Sequence, residues 1–457
     1  MVFSSLPFLL LFLLVVLLVS HILPFQFRNF FLLLANLVFY AYGEPVYVLI
    51  MIGSILVNYF GGVLIEKQPT RTRKRVILIL GIVIDLAALG VFKYAGLFVG
   101  TLKQIPAFSG LPDVSIALPI GISFYTFQAV SYLIDVYWDD CEASHSLVNF
   151  ACYISLFPQL IAGPIVRYKD VNDQLISRRE TPTMFNSGVR LFMVGMAKKV
   201  LLANQFGMLW DTMSADPVAA GMLGAWAGAC AYTLQIYFDF AGYSDMARGL
   251  GGMFGVALPR NFYYPYQSRS VTDFVGRFNI SVTAYLKTYI YHPLGEDSGG
   301  FASAALNIGL VTLLWGLWFG FRINYLLWGL YFVLLILLER SVWGRILVKL
   351  PVFLLRVYTF SLVLFSFVIF NGRSVGQSLF FFLGMLGLGG LAPATSPVLY
   401  LASQYAPYLI LAVLFSTSLP HSLKGALRRK SPAAAALAGA VCYGALLILT
   451  TGFLLHP

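Results

Sequence analysis

A chain of 457 residues with 59% hydrophobic and only 11% charged side chains falls short of the charge that covers a soluble domain, about a quarter of all residues. Mean hydropathy of +0.82 and apolar runs at 6–24, 76–93, 304–321, 352–370 and 433–455 predict an all-α polytopic membrane protein, since roughly 20 apolar residues cross a bilayer. The net charge of +11 sits in short loops, EKQPTRTRKR (66–75), VRYKDVNDQLISRRE (166–180) and SLKGALRRK (422–430), which points to cytoplasmic loops beside anionic lipid and away from nucleic acid.

In chain order, spans are predicted at 4–22, 28–42, 45–64, 76–99, 117–137, 146–163, 187–212, 222–240, 304–320, 323–340, 352–371, 376–392, 398–416 and 433–455. The first run lacks a basic leader and reads as a span, not a signal peptide. Cys141, Cys152, Cys230 and Cys442 are scattered, a pattern of neither disulfides nor a metal site. No internal repeat is evident, so the inverted-repeat design of many transporters is not indicated.

Residues 237–300 break the apolar pattern. Asp239, Asp245, Arg248, Arg269, Asp273 and Arg277 recur among aromatics such as Tyr243. Such charges are costly in hydrocarbon unless paired, so the stretch must be covered by other helices, line a cavity or lie at the interface. Asp273 and Arg277, four apart, become neighbours if the segment is helical. Two readings stand: an ion-pair network tying re-entrant segments together, or a polar chamber for a charged substrate. A transporter or flippase using that chamber is the alternative class.

Several stretches carry a likeness. MVFSSLPFLLLFL (1–13), LPIGISFYTFQAVSYLIDVY (118–137), SLFPQLIAGPIVRYKDV (155–171), FDFAGYSDMARGLGGMFGVALPRNFYYPYQSRSVTDF (238–274) and YIYHPLG (289–295) follow in order. Together they resemble the membrane-bound O-acyltransferase (MBOAT) family, in the bacterial branch of alginate O-acetylation and teichoic-acid D-alanylation. The resemblance covers roughly residues 1–370. It implies a transmembrane core over 1–371, a helical bundle with re-entrant or interfacial helices around a central tunnel. Residues 372–457 would be C-terminal helices packing on that core. It further implies a multi-pass plasma-membrane protein with no covalent cofactor and no metal. The acyl donor would be an acyl-CoA or acyl-carrier thioester, and the acyl group, acetyl in the first instance, would go to a cell-surface polymer. An extracytoplasmic acyltransferase of the serine-hydrolase type is the implied partner.

Two positions usually carry the family's chemistry: a His in a GLWHG-like motif, and an upstream His, Asn or Asp. Here these read GLWFG (316–320) and FNIS (278–281). Asn279 departs from the bacterial branch, where the resemblance implies a His, but fits the wider family; Phe319, in place of the expected His, fits neither. Attack of an alcohol on a thioester needs proton removal, which imidazole does near neutral pH. Asn279 can donate a hydrogen bond to an oxyanion but cannot take that proton. Three explanations stand open: an introduced His-to-Phe change that traps an inactive state, a catalytically silent assembly partner, or a base supplied elsewhere. His292 in YIYHPLG is the candidate for the last, with an interfacial histidine as its plain alternative. Arg322 either holds a carboxylate or phosphate of the donor or snorkels to the interface. Trp318, with Trp315 and Trp328, reads as tunnel lining or as aromatic belt. Substrate contacts are expected from Asp239, Tyr243, Asp245, Arg269, Asp273, Arg277, Trp318 and Arg322.

Overall fold

The computed structural model describes residues 2–110, 112, 116–178, 180–296, 298, 300–388 and 390–455. Met1 of the opening motif, Arg179 of the second basic loop, Asp297 and Gly299 of the polar stretch and Gly389 of span 376–392 lie outside them, as do His456 and Pro457. In chain order the helices are α1 Leu13–Ile22, α2 Phe25–Gly43, α3 Val48–Lys67, α4 Arg71–Leu102, α5 Ile122–Tyr137, α6 Leu147–Ser155, α7 Phe157–Leu160, α8 Tyr168–Ile176 and α9 Pro182–Ala197. They continue as α10 Asn204–Ala215, α11 Pro217–Met253, α12 Val271–Arg277, α13 Ile280–Leu286, α14 Gly300–Phe319, α15 Ile323–Arg340 and α16 Val342–Leu347. The last are α17 Val352–Asn371, α18 Val375–Met385, α19 Ser396–Phe415, α20 Leu419–Lys430 and α21 Pro432–Leu455. Among the described residues there are no strands, only an isolated bridge between Phe262 and Phe278. The chain is therefore all-α and polytopic.

Seven described helices, α3, α4, α14, α15, α17, α19 and α21, are long and apolar enough to cross a membrane. The other expected spans take different forms. The 146–163 run breaks at Leu156, whose ψ of 104° leaves the helix. Pro158 explains the break, because a proline inside a helix lacks the amide proton and clashes with the preceding turn. The freed Phe157 amide donates to Asn36 Oδ1 at 3.1 Å. The 117–137 run becomes helical only from Ile122, after Gly121 at φ 78°. The 187–212 run contains a wide π-helical turn at Lys198–Ala203. The 222–240 run lies inside the 37-residue α11, which continues through the polar residues to Met253. Its first turn bends at Gly221, φ 68°, where an added Cβ would stand 2.6 Å from the Ala392 carbonyl.

The chain forms two compact units: residues 1–192 with 246–259, and residues 193–245 with 260–457. In the first, Phe3, Phe8, Phe12, Phe39, Phe157 and Phe254 stack as one aromatic cluster, with ring centroids 5.0–6.4 Å apart. Asp85, buried in α4, accepts from Asn58 Nδ2 at 3.0 Å and Ser54 Oγ at 3.3 Å, which meets the need of a carboxylate in an apolar helix. In the second unit, Ala225 and Ala229 of α11 pack against Leu364 and Val368 of α17 and Phe381 and Met385 of α18. The Trp226 indole donates to the Met385 carbonyl at 2.8 Å.

Candidate functional site

The second unit arranges the motif residues through two local devices. In GLWFG, α14 and α15 cross in near-backbone contact: a Cβ on Gly316 would sit 2.4 Å from the Tyr325 carbonyl, and one on Gly329 2.8 Å from the Thr312 carbonyl. Small residues at helix crossings permit this approach in membranes. Gly320 then ends α14 at φ 139°, a conformation that a side chain disfavours. The crossing turns Trp315 and Phe319, one helical turn apart, to the same side.

In FNIS, the chain between α12 and α13 is clamped by Asn261. Its carbonyl accepts from Ile280 N at 2.9 Å, and its side-chain Oδ1 accepts from Ser281 N at 2.9 Å. Tyr263 N donates to the Arg277 carbonyl at 3.0 Å, so Asn279 sits within a short extended pairing. Asn279 itself is left-handed, φ 53° and ψ 55°, a region where Asn, Asp and His are several-fold enriched. That backbone accounts physically for the three residue types the resemblance allows at this position. The Asn279 side chain has no hydrogen-bond partner among the described residues.

These devices meet at a cavity of about 340 Å³. Asn279 and Phe319 both line it, with Asp239, Gln235, Trp315 and Trp328 among the other wall residues. Around Phe319 stand Phe370, Trp328 and Tyr325, with centroids at 4.9, 5.8 and 6.1 Å. Asp239 is the one carboxylate on the described wall, and no imidazole lines it.

Asp239 and Asp245 project from α11 and are each met by a lysine of the π-helical turn: Lys199 Nζ to Asp239 Oδ1 and Lys198 Nζ to Asp245 Oδ2, both 2.6 Å. Neither lysine belongs to a motif quoted above. A consecutive Lys-Lys inside an otherwise apolar 187–212 run was the available signal, since unpaired charges there are expensive.

The remaining candidates stand elsewhere. Tyr243 lies on α11 one turn beyond Asp239. Asp273 pairs with Arg277, Oδ1 to Nε at 2.6 Å, and accepts the Arg269 amide at 3.1 Å. Arg277 also lies over the Tyr263 ring, 5.6 Å from its centroid. Arg322 donates from Nη2 to the Gly372 carbonyl at 3.0 Å, tying the start of α15 to the turn between α17 and α18, and stacks on Tyr325 at 5.4 Å. Neither Arg322 nor Trp318 is among the cavity's lining residues. His292 closes the π-helical turn Lys287–Tyr291 and pairs with Glu296 on a half-exposed surface, also off the cavity wall.

The profile of MBOAT, the membrane-bound O-acyltransferase family, matches residues 139–382, a range that holds Asp239, Asn279 and Phe319. The chain is 40% identical over 448 residues to the probable alginate O-acetylase of Pseudomonas aeruginosa, covering 95% of this chain and 85% of that protein. It is 31% identical over 400 residues to the peptidoglycan O-acetyltransferase of Helicobacter pylori, covering 80% and 75% respectively. With the teichoic acid D-alanyltransferase of Bacillus subtilis the identity is 26% over 275 residues, covering 56% and 69%. The chain belongs to the membrane-bound O-acyltransferase family.

Proposed function

We propose that the protein is a plasma-membrane O-acetyltransferase. It moves an acetyl group from a cytoplasmic thioester, acetyl-CoA or an acetylated carrier, towards the hydroxyls of a cell-surface polysaccharide. The observation that carries this reading is the shared cavity of Asn279 and Phe319, together with relatives named for O-acetylation at 40% and 31% identity. Delivery to the polymer runs through an extracytoplasmic acyltransferase partner of the serine-hydrolase type.

The chemistry assigns roles to the wall. The acceptor oxygen attacks the thioester carbonyl, its proton leaves to a base, and the carbon–sulfur bond breaks to release the thiol. The Asn279 amide donates to the oxyanion that forms. Position 319 is where the family's imidazole would take the proton, and a phenyl ring cannot. Asp239 is the nearest substitute in kind, but its carboxylate is already held by Lys199 at 2.6 Å and stands in poorly for an imidazole as general base. The parent chain is therefore a slow enzyme.

The second reading, a catalytically silent partner of an assembly, is favoured by the aromatic packing of Phe319 against Phe370, Trp328 and Tyr325. Acetyl transfer from labelled acetyl-CoA by the purified chain separates the two. Transfer that Asp239→Asn abolishes supports the slow enzyme. Transfer that survives Asp239→Asn but is lost in His292→Ala moves the base to His292. No transfer by the parent, with transfer by Phe319→His, supports the silent partner.

A further inference from the structure

A second cavity in the same unit, of about 440 Å³, lies apart from the GLWFG and FNIS residues and is lined in part by Arg269, expected above as a substrate contact, and by Arg340, Thr272, Leu347, Val348 and Leu355. It stands where α15 ends at Arg340 and α17 begins at Val352. Both helices are long and apolar enough to span a bilayer, so their shared end marks the level where hydrocarbon gives way to headgroups. Trp343, 43% exposed, donates from its indole to Tyr358 Oη at 3.3 Å at the same level, as interfacial aromatics do.

Basic side chains outnumber acidic ones at this level. Residues 340–356 carry Arg340, Arg345, Lys349 and Arg356 and no acidic residue. Glu339, also on the cavity wall, has its carboxylate engaged by the start of α12: Oε1 accepts from Val271 N at 2.6 Å, and Oε2 from Thr272 N and Oγ1 at 3.0 and 2.9 Å. Arg269 and Arg340 are exposed at the mouth. Leu347, Val348 and Leu355 form the apolar side of the wall, and Val348 is 84% exposed. Two guanidiniums above an apolar wall match a phosphate that carries hydrocarbon chains.

We infer that this cavity binds the headgroup of an anionic phospholipid, its phosphate between Arg269 and Arg340 and an acyl chain along Leu347, Val348 and Leu355. A choline headgroup fits worse, because its cation would face the same guanidiniums.

The test uses the full chain in nanodiscs of mixed phosphatidylglycerol and phosphatidylcholine, with retained lipid counted by native mass spectrometry after release into detergent. Phosphatidylglycerol is retained preferentially, and Arg269→Gln and Arg340→Gln each lower that preference roughly 5-fold, about 1 kcal/mol per cation. Arg269→Lys keeps it. Val348→Glu, which alters only an exposed wall residue, lowers it without touching either arginine, so a folding defect in an arginine variant does not decide the outcome. Equal retention of both lipids, or an unchanged preference in the Arg269→Gln, Arg340→Gln double variant, overturns the inference. Displacement of phosphatidylglycerol by equimolar coenzyme A or inorganic phosphate also overturns it, in favour of a soluble phosphate site.

Discussion

Asn279 and Phe319, forty residues apart in the chain, line one cavity with Asp239. Each arrives there by backbone geometry set elsewhere: Asn279 by the Asn261 clamp, Phe319 by the α14–α15 crossing at Gly316. Those two devices hold the site together, and each can be broken separately.

Gly316→Ala forces a methyl group to within 2.4 Å of the Tyr325 carbonyl, where backbone must shift. Overpacking of this kind costs roughly 1–3 kcal/mol. Thermal unfolding in detergent falls by several degrees, and Gly309→Ala, whose added Cβ meets nothing within 4 Å, leaves it unchanged.

Position 279 separates backbone from chemistry. Asn279→Ala places a Cβ-bearing residue without local hydrogen bonding at φ 53°, a cost of about 1 kcal/mol. Asn279→Gly removes the amide and relieves the backbone. Melting temperatures order Gly at or above Ala, while acyl transfer is lost equally in both, because the reaction uses the amide.

The Lys198–Asp245 pair is mostly withdrawn from solvent, with side chains 18% and 17% exposed. Lys198→Met strands the carboxylate and costs roughly 3 kcal/mol, whereas Lys198→Met with Asp245→Asn recovers most of that. A double-mutant cycle by chemical denaturation measures the difference, and additive losses would show the pair to be uncoupled.

Cys141, in the loop after α5, has its thiol pushed up to about 12 by burial, with the nearby Asp135 carboxylate adding to it. A free cysteine near 8.5 carries ~10³-fold more thiolate at pH 8, and the thiolate is what alkylates. Iodoacetamide therefore modifies Cys141 slowly in the folded chain and at the ordinary rate after denaturation, as peptide mass spectrometry reads.

The apolar runs at 304–321 and 352–370 translate almost residue for residue into α14 and α17, because a long uninterrupted apolar stretch has no other low-energy form in lipid. The long α11 was not legible past residue 240. Its acidic residues are tolerated through Lys198 and Lys199, far back in the chain, and no local pattern reveals a distant partner. The i, i+4 relation of Trp315 and Phe319 was available and puts Trp315, not Trp318, on the wall. Asn261 was hidden for a different reason: its role lies in two backbone amides across the turn, which composition does not mark. Arg322 and Asn324, behind Phe319 in sequence, point to α17 and α18. The Asn324 amide donates to the Ile369 carbonyl at 2.9 Å and to Ser378 Oγ at 3.1 Å.

The central claim is that acyl transfer occurs at the cavity shared by positions 279 and 319. Its most direct test is the rate of acetyl transfer from labelled acetyl-CoA by Phe319→His beside the parent chain. The smaller imidazole ring fits the space of the phenyl and restores a base, so the rate rises ~10²–10⁴-fold, and Asn279→Ala in that background removes the gain. A Phe319→His chain that folds as the parent does and transfers no faster contradicts the claim.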